Sequence, residues 1–184
     1  MRNGTIYKKV AALIKKHQSR NPEILIKKLN IKLQYISSTS ALLGMYRVIL
    51  KNRYIFIPDN LGSLKKMVLA HEIGHDQLHR KECVNGASFH ESRIFSPLNH
   101  YELEANIFAA HLLIPDEEVI EMIRYEQSDQ ELANRLCVDI NLLNLKISEM
   151  AKMNLLDIDV SKIERPKSDF LKNYQPLDDE WSIF

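Results

Sequence analysis

The sequence predicts an α+β fold, a short β-sheet preceded and followed by helices. Three observations predict it. β-branched and aromatic residues concentrate between Ile31 and Ile57. The segments on either side carry apolar residues at helical spacing. The 184 residues, 45% hydrophobic and 27% charged, suffice for one packed core with a small appendage.

Taken in order, Ile6, Val10, Leu13 and Ile14 form a helical stripe on a lysine-rich segment, read as packing on the core rather than on a membrane surface. Asn21-Pro22 supplies an N-cap and a first-turn proline for a short helix to about Leu29. Ile31–Ile36 and Leu42–Ile57 read as strands that include a hairpin, with the break at Lys51-Asn52-Arg53. Pro58-Asp59-Asn60 closes the sheet region. From Ser63 to His79 the period is helical again, with Leu64, Met67, Val68 and Ile73 on the buried side. Residues 80–96 show no clear period and read as a functional or mobile loop. Ser96-Pro97 restarts a helix that runs through YELEANIFAAHLLI to Pro115. Ser128 and Glu131 form a capping box that opens LANRL, and a further helix begins at Asp139. This divides the chain into a core over residues 1–115, a helical subdomain packed on it over 116–159, and a polar tail over 160–184.

Composition excludes several classes. Lys+Arg 25 against Asp+Glu 24 leaves a net charge of +1, which does not suit a general nucleic-acid binder. No apolar run approaches the ~20 residues of a membrane span, and the N-terminus does not read as a signal peptide. Two distant cysteines, Cys83 and Cys137, argue against a disulfide framework and for a cytoplasmic protein. The five glycines match no nucleotide-binding pattern.

The chemistry concentrates in HEIGH, residues 71–75. Histidines four apart share a helix face, so His71 and His75 can point ring nitrogens at one ion. Zinc suits them, since it accepts imidazole nitrogen and in catalytic sites keeps one position for water. Glu72, beside the first histidine, projects to the side of the ion. There it can act as general base on a water that zinc has already acidified. Gly74 within the motif costs a helix ~1 kcal/mol relative to alanine, and close approach of another element is a reason to carry it.

A third ligand is needed. His79 lies eight residues from His71, ~12 Å along a helix, so it reads as a residue behind a ligand or as a structural one. The helix containing YELEANIFAAHLLIP offers Glu102 and Glu104, which point to different faces. Glu102 is favoured because Asn106 follows one turn later on its face, placed to bond a ligand histidine. Ala105, Ala109 and Ala110 would let this helix lie close to the first.

HEIGH followed by LH, then ELEANIFAAHLLIP after an intervening loop, resembles the ImmA/IrrE family of zinc metallo-endopeptidases over roughly residues 20–150. The resemblance implies a small gluzincin-like α+β domain with residues 1–115 as the metallopeptidase core. It also implies one Zn2+ per chain on His71, His75 and a glutamate, with Glu72 as base. The family's ligand glutamate stands thirteen residues before the helix-ending proline, and counting back from Pro115 gives Glu102. Asn106 stands where related gluzincins have aspartate. Members cleave a partner transcriptional repressor, often in phages and integrative elements, so the implied partner is a helix-turn-helix repressor. An extended substrate peptide would add to a sheet edge above the metal. His79, His111 and Tyr101 are candidates to stabilise the oxyanion.

Two rival readings use other residues. Residues 128–150 have the look of a helix-turn-helix turning at Cys137-Val138-Asp139. That would make the chain a DNA- or repressor-binding module with a non-catalytic metal site. Its second helix carries Asn141, Asn144 and Lys146 but little positive charge, so direct DNA binding is disfavoured. A purely structural zinc would need a fourth protein ligand, for which Cys83 is available, but it would need no Glu72. Trp181 and Phe184 in the tail are candidates for docking on a partner or over the cleft.

Overall fold

The computed structural model describes residues 2–37, 43–84, 100–125 and 127–156. Helix α1 spans Arg2–His17 and buries Ile6, Val10 and Leu13 of the predicted stripe, with its fourth residue, Ile14, partly buried against the core. Helix α2, Pro22–Lys28, starts where Asn21 Oδ1 accepts the backbone N–H groups of Glu23 and Ile24 at 2.9 and 3.4 Å. Strands β1 (Lys32–Ile36), β2 (Met45–Ile49) and β3 (Asn52–Pro58) form a sheet of order β1-β3-β2. β1 runs parallel to β3, and β2 runs antiparallel to it, so β2 is an edge. The hairpin turn is Leu50-Lys51, one residue earlier than the predicted break, and Asn52 and Arg53 already belong to β3. Both turn residues take positive φ, 48° and 65°, the backbone hand that matches strand twist in a two-residue turn.

A 3-10 turn at Gly62–Leu64 leads into helix α3, Lys65–Leu78. Instead of one apolar stripe, α3 buries the unbroken run Met67–Asp76, because it has neighbours on several sides. β2, β3 and α2 touch it, and so does helix α5, His100–Leu113. The segment expected to be irregular begins with a short helix, α4, Arg80–Val84, and the rest of it lies outside the described residues. The proposed helix start at Ser96-Pro97 also lies outside them, as does the tail with Trp181 and Phe184. Helix α6 (Asp116–Arg124) follows directly after Pro115. Helix α7 (Asp129–Leu136) opens on the predicted capping box, with Glu131 N donating to Ser128 Oγ at 3.2 Å and Ser128 N to Glu131 Oε2 at 3.3 Å. Helix α8 (Ile140–Lys152) is capped by Asp139 and packs on α5 and α7, while α1 covers α5 from another side.

α3 and α5 approach most closely at Gly74. A Cβ built there would lie 3.1 Å from the Ala105 Cα and carbonyl oxygen and 3.3 Å from the Ala105 Cβ. Backbone on the far side cannot rotate away, so a methyl at this position would have to push the helices a few tenths of an ångström apart. Gly74→Ala should therefore lower stability by ~1–3 kcal/mol through overpacking, against the ~1 kcal/mol that helix propensity would add. Urea unfolding measures the balance. A net gain would mean the helices have room to spare.

A second polar group lies inside the helical layer. Lys146 of α8 is fully buried, and its Nζ donates to Asp116 Oδ1 and to His111 Nδ1, the latter at 3.0 Å. Tyr7 of α1 donates to Asp116 Oδ2 at 2.6 Å. Arg20 Nη1 donates to the carbonyls of His111 and Leu112, which end α5. Burial, reinforced by the Lys146 ammonium, pushes the His111 imidazole from 6.5 down to about 3. The unfolded chain takes up that proton near its ordinary value, the folded chain only near the lowered one. Stability should therefore fall as pH drops from about 6.5 toward 3. His111→Gln, which keeps an acceptor for Lys146, should flatten that part of the profile in urea titrations at stepped pH.

Candidate metal centre

The i,i+4 spacing on α3 and the crossing with α5 bring three side chains to one point. His71 Nε2 lies 3.0 Å from His75 Nε2 and 3.0 Å from Glu102 Oε2, and His75 Nε2 lies 3.5 Å from the same oxygen. A ligand atom from each of the three falls within 4.8 Å of the others, and among the described residues this is the one such His/Cys/Asp/Glu group. The residues are 2%, 0% and 4% exposed. Four atoms placed tetrahedrally ~2.0–2.1 Å from an ion stand ~3.3 Å apart, and the observed separations fit that spacing.

The protonation states suit a cation. Burial pushes the His75 imidazole down to about 4, so near neutrality it keeps a lone pair. Burial by itself would raise the Glu102 carboxyl, yet His71 and His75 beside it hold it well below the usual carboxylate range. His71 Nδ1–H donates to Asn106 Oδ1 at 2.8 Å, which leaves Nε2 of that ring facing Glu102. Asn106 thus sits where the sequence argument put it, one turn beyond Glu102 and against the first histidine.

Glu72 is 1% exposed and follows His71 directly. Its wall is completed by Gly44, a residue that the sequence reading did not single out. A Cβ at Gly44 would lie 2.6 Å from Glu72 Oε1 and 2.6 Å from Val68 Cγ1, so a side chain there would displace the glutamate or the valine. The available signal was a glycine inside the run Leu42–Ile57, where an isolated glycine marks a close backbone approach. Asp76 was also missed. It is buried on α3 and receives Tyr46 Oη–H of β2 at 2.8 Å, Arg53 Nη1 of β3 at 3.2 Å and Arg80 Nη2 at 2.9 Å. These bonds clamp the sheet onto the helix carrying the histidines. Nothing in the linear pattern distinguishes Asp76 from a surface acid, because its partners come from other elements.

The remaining candidates separate. His79 is buried, with Nδ1 3.0 Å from His75 Nδ1 and Nε2 3.0 Å from Glu104 Oε2. Glu104 is therefore turned toward His79, away from the three-residue group. Tyr101 packs edge-on against the His79 ring at 4.9 Å. His111 does not suit the oxyanion role suggested for it. It lies nine residues beyond Glu102 on α5, ~13 Å of rise, and its Nδ1 is engaged by Lys146. Cys83 is buried outside the cluster, and burial, followed by the charges of Glu82, Glu72 and Asp76, pushes its thiol up to about 12.

Removing Asp76 leaves Arg53 and Tyr46 without their shared acceptor. Because Arg53 and Arg80 are partly exposed, Asp76→Ala should cost ~3 kcal/mol, the low end for breaking a buried pair. Chemical denaturation checks it, and a change under ~1 kcal/mol would show that the clamp is dispensable.

Comparison with known proteins agrees with this architecture. The family model Peptidase_M78, described as the IrrE N-terminal-like domain, matches residues 26–148, which contain both helices of the site. A protein of Bacillus phage phi105 named "Uncharacterized immunity region protein 2" is 35% identical over 143 residues, covering 77% of this chain and 89% of that protein. The chain belongs to the Peptidase_M78 metallopeptidase family, that of the IrrE N-terminal-like domain, and has its small zincin-like α+β fold.

Proposed function

We propose that this protein is a zinc endopeptidase that hydrolyses a peptide bond in a partner transcriptional repressor. The observation that supports the reading best is the convergence of His71, His75 and Glu102 beside a second buried glutamate, Glu72, on the same helix. In this reading the two histidine Nε2 atoms and the Glu102 carboxylate hold one zinc per chain. When bound, the ion supplies Lewis acidity that acidifies water and polarises a carbonyl. Glu72 takes a proton from the attacking water and delivers it to the departing amine. Asn106 fixes the His71 ring, and the buried walls keep bulk water from the carboxylates. Among the described residues no further strand pairs with the outer edge of β2, which in this reading offers backbone donors and acceptors to an extended substrate, with Gly44 bringing the start of that strand beside Glu72.

The repressor as substrate is supported by the resemblance in the two motifs and by the phage relative, whose name places it in an immunity region. The rival DNA-binding reading loses its main cation, because Lys146 is fully buried against Asp116 and His111. No helix among the described residues is long and apolar enough to cross a membrane.

Glu72→Gln should keep about one zinc per chain by elemental analysis and cut cleavage of the neighbouring repressor by ~10²-fold or more. Glu102→Ala should lose the zinc, and Glu104→Ala should retain it at saturating metal. Undiminished cleavage by Glu72→Gln would remove Glu72 as the base.

A further inference from the structure

We infer that His79 and Glu104 form a positioning relay that fixes the tautomer and orientation of His75, the counterpart of what Asn106 does for His71. The inference rests on the reading of His75 as a zinc ligand. The hydrogen positions along these rings are forced. For His75 Nε2 to offer a lone pair to an ion, the ring proton must sit on Nδ1. That nitrogen lies 3.0 Å from His79 Nδ1, which must then accept, so the His79 proton is on Nε2. Nε2 lies 3.0 Å from Glu104 Oε2, and a carboxylate oxygen accepts it. Each link permits one donor direction, and all of them point away from the ion.

The local fold explains why His79 can do this. α3 ends at Leu78, and His79 is its C-cap, with φ −121° and its N–H bonded to the His75 carbonyl. The ring therefore lies one turn beyond His75 and is free of the helical rotamer limits. It is 2% exposed, and Tyr101 packs on its face. Glu104 is two residues from Glu102, so on α5 it points away from the proposed ligand and toward the end of α3. Its side chain is 20% exposed and lines a cavity of about 290 Å3 with Lys9, Glu82, His100 and Tyr101. Substitution at Glu104 therefore does not open the core. Thus the two glutamates of the ELE triplet hold different jobs, one on the ion and one behind a histidine.

The test pairs zinc affinity, by competition with a chromophoric chelator, with long-range proton–nitrogen NMR of the histidine rings. In the zinc-loaded wild type, His75 should carry its proton on Nδ1 and His79 on Nε2. Glu104→Ala should weaken zinc binding ~10–100-fold and mix the His79 tautomers. Glu104→Gln, which keeps a carbonyl acceptor, should recover most of both. Wild-type affinity in Glu104→Ala, or a His79 proton on Nδ1, overturns the relay while leaving the zinc site standing. A wild type that takes up no zinc, or a Glu102→Ala protein that binds it as well as wild type, overturns the ligand reading itself and the relay with it.

Discussion

The rest of the structure depends on the contact between two helices at Gly74 and Ala105. Neither helix can build the three-residue group by itself. α3 supplies two imidazoles on one face, and α5 supplies the carboxylate. Imidazole nitrogens and a carboxylate oxygen at 3.0–3.5 Å bring the two helices close together, and a Cβ at Gly74 would already press on the Ala105 main chain. Glycine's helix penalty, ~1 kcal/mol, is the cost of letting the two helices lie this close. The same economy appears at Gly44, where the strand entering the sheet passes the Glu72 carboxylate.

Once the helices are that close, their polar side chains are dry, and burial sets their chemistry. His75 is kept neutral because an imidazolium would be poorly solvated there. Buried polar groups of this kind need partners. The molecule supplies them in sequence: Asn106 behind His71, His79 behind His75, Glu104 behind His79. One turn beyond Glu72 on α3, Asp76 gathers Tyr46, Arg53 and Arg80, so the sheet that borders Glu72 is held by charge-assisted bonds as well as by apolar packing. The polar groups around α3 therefore set both the site and its relation to the β2 edge.

The far end of α5 is handled differently. Lys146, Asp116, His111 and Tyr7 close over it as a buried cluster that joins α1, α6 and α8. This cluster bears on the helix-turn-helix resemblance of residues 128–150. The two helices and the left-handed turn at Cys137 are present, but α8 is buried along Leu142–Ala151 and spends its lysine inward. The second helix of the motif packs on α5 and turns Lys146 inward against Asp116 and His111.

What the sequence by itself determined is local. The 3.6-residue period located α1, α3 and α5, and the caps at Asn21 and Ser128 marked where helices begin. The i,i+4 spacing paired His71 with His75, and two-residue spacing separated Glu102 from Glu104. Each depends on neighbours within about one turn, where backbone geometry is nearly fixed. Only the tertiary structure decided the strand order β1-β3-β2, the burial of α3 on every side, and the roles of Gly44 and Asp76. It also set His111 against Lys146 and Glu104 against His79. Those outcomes turn on which distant elements meet, and a side chain's partner across an interface leaves no periodic trace in the chain that carries it.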